Sequence, residues 1–482
     1  MPDAIGPGGM RELTPLRATA LYICFFLSGV AGLIYEVLWA KYLALYVGST
    51  GMAQVIVLAT FMGGLALGSE VLGRKADRVR SPLRMFAFLQ FGIGVYALVF
   101  DRIFDFGRWA FILTARFSGI TPGGLVAGKI LACVLTILLP TFLMGGTLPA
   151  LGRHMIRTMS GVGPKISRLY FLNSFGAVFG CLLAGFYLIQ TYGLQFSMVA
   201  GGAINLAVGL IALAVLTRER QDERYFVEAA RVEARIHAEA PLPRWAVAAI
   251  LISVSVSGGV SMMYEVAWIR LLTLVLGSST YSFSLMLATF ILGLSIGSFL
   301  LSLRRKQTGY TVIFGLSEAA VGLTVLLMLP FYVKLPYWFN QLASSLAREP
   351  ATFGLYQFCT FIMCALVMFI PTILQGITLP AAIKVITLDI RRLGHRVGYV
   401  YAINTLGTLI GSVGAGFAGL PLLGIKGTLE LAVALNGILA LVVLTTERER
   451  RWRLRSLGIA VLATLVVWGW YSVGMQSWNR QV

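Results

Sequence analysis

Long apolar runs recur along the whole chain, separated by short polar connections. The runs 52–72, 194–216 and 281–303 contain almost no charged residues. A run of about 20 apolar residues is long enough for a helix to cross the hydrocarbon core of a bilayer. The pattern therefore predicts an all-α integral membrane protein whose first partner is the lipid bilayer.

The apolar runs form two copies of one unit. Segment 28–41, SGVAGLIYEVLWAK, returns as 257–270, SGGVSMMYEVAWIR. Segment 140–149, PTFLMGGTLP, returns as 371–380, PTILQGITLP. The copies lie about 230 residues apart throughout, and a constant offset of this kind indicates a tandem duplication.

Each copy divides into six predicted helices. A polar N-terminal segment, 1–17, precedes the first repeat, 18–217, and a linker, 218–244, joins it to the second repeat, 245–446. The linker alternates arginine and glutamate at helical spacing, which predicts a solvated cytoplasmic helix. The predicted helices of the first repeat are 18–47, 52–73, 84–106, 124–152, 166–192 and 195–217. Those of the second are 245–276, 281–303, 309–332, 354–385, 397–422 and 427–446, and a thirteenth span follows at 456–474.

The placement of charge predicts the orientation. The chain has a formal net charge of +19, and most of its 39 lysines and arginines lie in the N-terminal segment and in alternate connections. The positive-inside rule assigns these segments, and the N-terminus with them, to the cytoplasm, so the thirteenth span sends the C-terminus outside. Basic residues in alternate loops do not form the continuous patch that nucleic acid requires, so we expect no nucleic-acid partner.

An even number of spans in each unit gives both copies the same orientation. This is a parallel repeat, with an axis along the membrane normal, as in the halves of major facilitator transporters. That family's loop between helices two and three is matched only in part by 73–80, GRKADRVR, and the counterpart 304–306, RRK, lacks the aspartate. We therefore expect a major-facilitator-like fold without that family's standard gating.

Three further motifs carry a resemblance to a known family. SGVAGLIYEVLWAK with VGST at 47–50, PTFLMGGTLPAL at 140–151 and LYFLNSFGAVFG at 169–180 resemble the membrane half of bacterial fused major-facilitator/spermidine-synthase proteins. The resemblance covers nearly all of 18–446 and implies a multi-pass protein of the bacterial inner membrane with an association with polyamines. The glycine-rich loop and acidic cluster of the soluble synthase domain are not found here, so we expect no enzyme activity.

The first predicted helix of each copy carries a buried acid. A charged side chain at the centre of a membrane helix costs about 2.5–3.5 kcal/mol on translocon scales. The presence of each acid therefore requires a functional or a structural explanation. One interpretation is a cation or proton site near the axis between the copies. The other is a pair of structural salt bridges, Glu36 with Arg270 and Glu265 with Lys41. The residues concerned are Tyr35, Glu36 and Lys41 in the first copy and Tyr264, Glu265 and Arg270 in the second.

Four more polar residues fall inside predicted spans. Glu318 has Gln90 as its counterpart, so an acid replaces an amide between the copies, as an asymmetric substrate would require or as a local hydrogen bond would explain. Asn173 and Asn404 are followed by glycines at helical spacing, which favours close helix packing and leaves a ligand contact open. The five cysteines lie in apolar runs without a CxxC pair and the three histidines in polar connections, so we expect neither a metal nor another cofactor.

Two functions fit these residues. The first is a major-facilitator-like transport protein for a cationic or amine-bearing solute. The second is a membrane scaffold or subunit that anchors a separately encoded aminopropyltransferase-like enzyme or an electron-transfer partner, in the membrane or the periplasm. Polar groups that converge on an aqueous interior favour transport, whereas a dry interior with Glu36 and Glu265 fully paired favours the scaffold.

The predicted topology can be tested with fused reporters. A reporter after Arg455 should be cytoplasmic, because the preceding loop carries the positive charge, and one at Val482 should be external. Activity of a pair of reporters that work on opposite sides of the membrane measures both positions. A cytoplasmic reporter at Val482 would contradict the thirteenth span.

Overall fold

The computed structural model describes residues 14–47, 51–117, 121–217, 242–276, 280–306, 308–332, 334–346 and 352–479. All regular secondary structure in these ranges is helical, which confirms the all-α prediction. Most of the N-terminal segment and the predicted linker helix lie outside the described residues.

The first half contains eight helices where six were predicted. They are α1 (Pro15–Val47), α2 (Gly51–Ala76), α3 (Pro82–Leu98), α4 (Phe100–Phe117), α5 (Pro122–Gly145), α6 (Thr147–Met155), α7 (Val162–Leu183) and α8 (Ile189–Thr217). Ser81 and Thr121 cap α3 and α5, and each is followed by a proline at the first helical position, where no amide hydrogen is needed.

The helices of the second half repeat this order. They are α9 (Arg244–Leu276), α10 (Thr280–Ser302), α11 (Tyr310–Tyr332), α12 (Leu335–Leu346), α13 (Phe353–Ile386), α14 (Leu393–Gly414) and α15 (Leu420–Thr445), followed by α16 (Arg450–Asn479). Irregular details repeat as well. A π-helical turn follows α7 at Ala184–Leu188 and α14 at Ala415–Gly419.

Nine helices among the described residues are long and apolar enough to cross a membrane, and ten if α3 and α4 count as one bent span. Two of the nine, Met159–Leu216 and Ile390–Thr445, run for 58 and 56 residues. Each is broken by a kink at a glycine with positive φ. These glycines are Gly193 (78°), near the start of α8, and Gly424 (69°), near the start of α15. A side chain would be strained in that conformation, so glycine marks both turns.

The third predicted helix differs from the structure. The prediction of one helix over 84–106 is wrong, because α3 ends at Leu98 and α4 continues at an angle of 67°. α4 carries charged residues on one face and apolar ones such as Phe104 on the other. A helix of this kind lies along the membrane interface, since its charged face cannot enter lipid. Its counterpart α12 is amphipathic too.

Packing follows the same plan in both halves. In the first half α1 packs against α7 and α8, α2 against α5, and α3 against α8. In the second half α9 packs against α14 and α15, α10 against α13, and α11 against α15. The halves meet along two long contacts, α2 with α14 and α7 with α10, so each half offers its second and fifth spans to the other.

Glycines bring the helix backbones together. A Cβ atom on Gly176 of α7 would overlap the carbonyl oxygen of Phe26 on α1. A Cβ atom on Gly407 of α14 would overlap the carbonyl oxygen of Ser255 on α9, and one on Gly398 that of Ser69 across the two halves. Helices in lipid associate through close van der Waals contact of this kind rather than through the hydrophobic effect.

The helix α16 has no counterpart in the first half of the described chain. It packs on the outer side of α11 and α15, where Ala460 joins a small cluster with Ala319 and Leu444. Toward its C-terminal end the Tyr471 hydroxyl donates to Glu430 on α15. The helix therefore covers one outer face of the second half.

Gly407→Ala should destabilise the protein. Its Cβ meets backbone rather than a flexible side chain, and overpacking of this kind costs about 1–3 kcal/mol. Gly414→Ala, on the same helix, is the matched control, because a Cβ there has no neighbour within 4 Å. Thermal unfolding in detergent should show a lower midpoint for the first variant only. Equal midpoints would mean that α14 and α9 are not in backbone contact.

Candidate functional site

The two repeat-related glutamates come together between the halves. Glu36 projects from α1 and Glu265 from α9, and the charge of Glu36 is close enough to act on Glu265. Both side chains are half-buried. The sequence predicted their equivalence, and the structure adds that the two carboxyl groups lie within range of each other's charge.

Neither glutamate has an ion-pair partner among the described residues. The proposed pairs Glu36–Arg270 and Glu265–Lys41 are not formed there, and the side chains of Lys41 and Arg270 are exposed. Two nearby carboxylates repel each other, so the pair favours either a bound cation or a shared proton.

The structure adds polar neighbours that the motifs did not indicate. The charge of Glu36 also acts on the hydroxyl of Tyr401 on α14 and on the thiol of Cys181 on α7. Tyr170, the repeat counterpart of Tyr401, lies close enough to Tyr401 for the two hydroxyls to interact. Both tyrosines occur three positions before a predicted site asparagine, and this spacing was the one signal in the sequence that could have identified them.

The tyrosines that precede the glutamates point elsewhere. Tyr35 and Tyr264 are fully buried and stack on Trp39 and Trp268, with ring centroids 5.5 and 5.3 Å apart. The Tyr264 hydroxyl donates to Asn436 on α15 over 2.7 Å. These side chains lie inside their own halves rather than beside the glutamate pair.

Gln90 and Glu318 also lie inside their own halves. The amide nitrogen of Gln90 donates to the Ser28 hydroxyl over 2.8 Å. Glu318 on α11 contacts Ser257 at 2.5 Å and accepts from the amide of Asn436 at 2.7 Å. Gln90 is 0% exposed and Glu318 only 1%, so neither is open to the space around Glu36 and Glu265.

Asn173 and Asn404 lie at helix contacts. The backbone carbonyl of Asn173 meets Gly29 on α1, and that of Asn404 meets Gly258 on α9. The Asn404 amide also donates to the carbonyl oxygen of Val254 over 3.2 Å. Both side chains are half-buried, and their hydrogen bonds and neighbours fit the packing interpretation.

A second polar site joins the halves where α2 ends and α14 begins. Asp77, just after α2, accepts hydrogen bonds from the backbone N–H groups of Gly394 and His395 over 2.8 and 2.7 Å. These N–H groups belong to the first turn of α14, where a helix favours negative charge. Arg153 lies 3.2 Å from the same carboxylate. The sequence showed the partial loop motif but not this contact.

Burial and the hydrogen-bond donors act in opposite directions on the pKa of the Asp77 carboxyl. Burial raises the pKa of the Asp77 carboxyl above its ordinary value, whereas the two N–H groups and Arg153 work against the rise. Protonation of this carboxyl is therefore expected at a higher pH than for an exposed aspartate. Close by, Glu70 pairs with Arg74 one turn further along α2, and its carboxylate lies 3.6 Å from the ring of His395.

Solved structures with this fold are transporters. The chain superposes on the human organic anion transporter MFSD10 (TETRAN) with a TM-score of 0.52 and 11% identity, covering 89% of this chain and 100% of that one. It superposes on the E. coli fucose:proton symporter FucP with a TM-score of 0.51 and 13% identity, covering 91% and 100%. The fold is therefore major-facilitator-like. No protein-family model matches the chain, and no curated protein matches its sequence.

Asp77→Asn should weaken the contact between the halves. The variant replaces one acceptor oxygen with an amide NH2 group, so the N–H group of Gly394 or His395 loses its acceptor, an effect of about 1–2 kcal/mol. Asp389→Asn is the matched control, because its ion pair is local, with Arg391. Thermal unfolding in detergent should show a lower midpoint for Asp77→Asn alone. An unchanged midpoint would mean that the Asp77 charge adds nothing to stability.

Proposed function

We propose that this protein is a secondary transporter that binds a cationic or amine-bearing solute between its halves, at Glu36 and Glu265. The observation that carries the proposal is the meeting of two acids without a cation partner in the described residues. Asn173, Asn404, Tyr170 and Tyr401 are further candidates for the walls of the pathway.

The chemistry of the pair supports a cation. An acid inside a membrane protein is costly unless it is paired or protonated, and acids that are kept there commonly mark ion or substrate pathways. Two acids side by side raise that cost, because each disfavours the charge of the other. A bound ammonium group would remove the repulsion and could receive hydrogen bonds from both carboxylates.

The fold supports a solute site between the two halves. In parallel-repeat transporters the substrate site lies near the bilayer midplane between the repeats, and the halves rock around it. Glu36 and Glu265 come from equivalent positions in the two halves, so they would stay on either side of such a site. We also propose the thirteen-span topology in the bacterial inner membrane, with a cytoplasmic N-terminus and an external C-terminus.

The scaffold alternative is less well supported. That reading requires Glu36 and Glu265 to be closed off by Arg270 and Lys41, and neither glutamate has an ion pair in the described structure. The preference for an amine comes from the sequence resemblance to proteins associated with polyamines, and the carboxylate pair is compatible with it.

Glu36→Gln should abolish binding of a cationic probe and leave the fold intact. No described cation loses its partner in this variant, and one of two repelling charges disappears. Binding of labelled spermidine to the purified protein, with thermal unfolding in the same detergent, measures both effects. Glu265→Gln should behave alike, and Glu449→Gln, which removes an exposed carboxylate, should bind as the wild type does.

Two results would contradict the proposal. Unchanged spermidine binding in both variants would remove the glutamates from the site. Loss of stability on Glu36→Gln, restored by a second change Arg270→Gln, would identify a structural ion pair, since breaking a buried pair costs about 3–5 kcal/mol.

A further inference from the structure

The second half contains a buried acid that the proposed solute site does not use. Glu318 lies on α11, which packs mainly against α13, α15 and α16 of its own half. Its side chain is 1% exposed. Among the described residues, the groups that hydrogen-bond to it are both neutral: the hydroxyl of Ser257 and the amide of Asn436.

These partners suit both protonation states of the acid. Asn436 donates to Oε2 in either state. Ser257 Oγ and Glu318 Oε1 are 2.5 Å apart, so an ionised carboxylate accepts from the hydroxyl and a neutral acid donates to it. When the acid donates, the serine hydroxyl can turn to the carbonyl one helical turn earlier, as serines in helices commonly do. Gain or loss of the proton therefore needs no rearrangement of the heavy atoms.

The first half carries neutral groups at the corresponding sequence positions. Ser28 is the counterpart of Ser257, Asn205 that of Asn436 and Gln90 that of Glu318. The amide of Gln90 donates to Ser28 over 2.8 Å, which is the hydrogen bond that a protonated Glu318 would make to Ser257. Evidently this pocket accommodates a neutral donor of this shape, and only the second half has a group that can release its proton.

Neighbouring helices bring no compensating cation within ion-pair distance in the described structure. Tyr264 on α9 is the titratable group on which the Glu318 charge acts, and α13 contributes the thiol of Cys364 to the same core cluster as Tyr264. On α15 and α16, Glu430 pairs with Lys426 and accepts from Tyr471, and α16 also carries Arg450, Arg451, Arg453 and Arg455 near its N-terminal end.

We propose that Glu318 is a reversible proton-binding site, present in the second half alone and separate from the glutamate pair. The proton exchanges between water and the Glu318 carboxyl, and Ser257 and Asn436 hold the carboxyl in both states. Through Asn436 the site is linked to Tyr264, which precedes Glu265 on α9. The proposal does not depend on the identity of a transported solute.

Infrared spectroscopy of the purified protein tests this site. The spectrum of the wild type minus that of Glu318→Gln should contain one protonated carboxyl band that converts to a carboxylate band as the pH rises. Glu318→Gln should fold normally, because glutamine occupies the equivalent place in the first half. Gln90→Glu is the matched variant, and it should add a second titrating carboxyl.

Other outcomes would overturn the proposal. A difference spectrum with only a carboxylate band, or only a protonated band, at every pH at which the protein stays folded would exclude reversible binding. If Glu318→Gln does not fold, the wild type minus Ser257→Ala must show a shifted carboxyl titration, and an unshifted one contradicts the role of Ser257. Spermidine binding tests the glutamate pair separately, so the two proposals can fail independently.

Discussion

Helices inside a bilayer gain little from burying apolar side chains, because lipid tails are as apolar as leucine. Close backbone contact must therefore hold this bundle together. Glycines on α7 and α14 lie against carbonyl oxygens of α1 and α9, and Gly398 lies against α2 across the two halves. Contacts this short tolerate no side chain, so they determine the register of each helix pair and, through it, the depth at which every polar group lies.

The register of the helices places two acids near each other, and among the described residues it gives neither of them a cation partner. Glu36 and Glu265 are brought together by the pairing of the two halves, whereas Lys41 and Arg270, five positions further along the same helices, have exposed side chains. A bundle that only needed stability would gain nothing from such a pair, since the cost of burying charge is added to the repulsion between like charges. For this reason we propose that the pair serves binding rather than packing.

The two halves are similar in plan and different in chemistry. Both halves carry a serine, an asparagine and a third polar group at corresponding sequence positions, but the third group is an amide at Gln90 and an acid at Glu318. The second half alone is covered by α16, which packs on the two helices that carry Glu318 and Asn436. The duplication thus gave both halves the same arrangement of helices. At one position the halves differ, glutamine in the first and glutamate in the second, and only the glutamate can titrate.

The sequence by itself determined the all-α membrane fold, the duplication and the equivalence of Glu36 and Glu265. The fold class follows from the hydrophobic runs, and the duplication and the equivalent glutamates follow from a comparison of the two copies. Both kinds of pattern are visible in the sequence alone. The bend between α3 and α4 was missed because apolar residues continue through it, although the charges that follow Leu98 marked the interface.

Tertiary structure alone decided which polar groups meet. Asp77 bonds to Gly394, 317 positions away, and Glu318 to Asn436, 118 positions away, and no local pattern encodes either distance. Charge in the sequence suggested Arg270 and Lys41 as partners of the glutamates, but a helix can turn an acid inward and a base outward within two turns. The physical reason is that helix rotation and register, which are set by packing against other helices, decide where each side chain points.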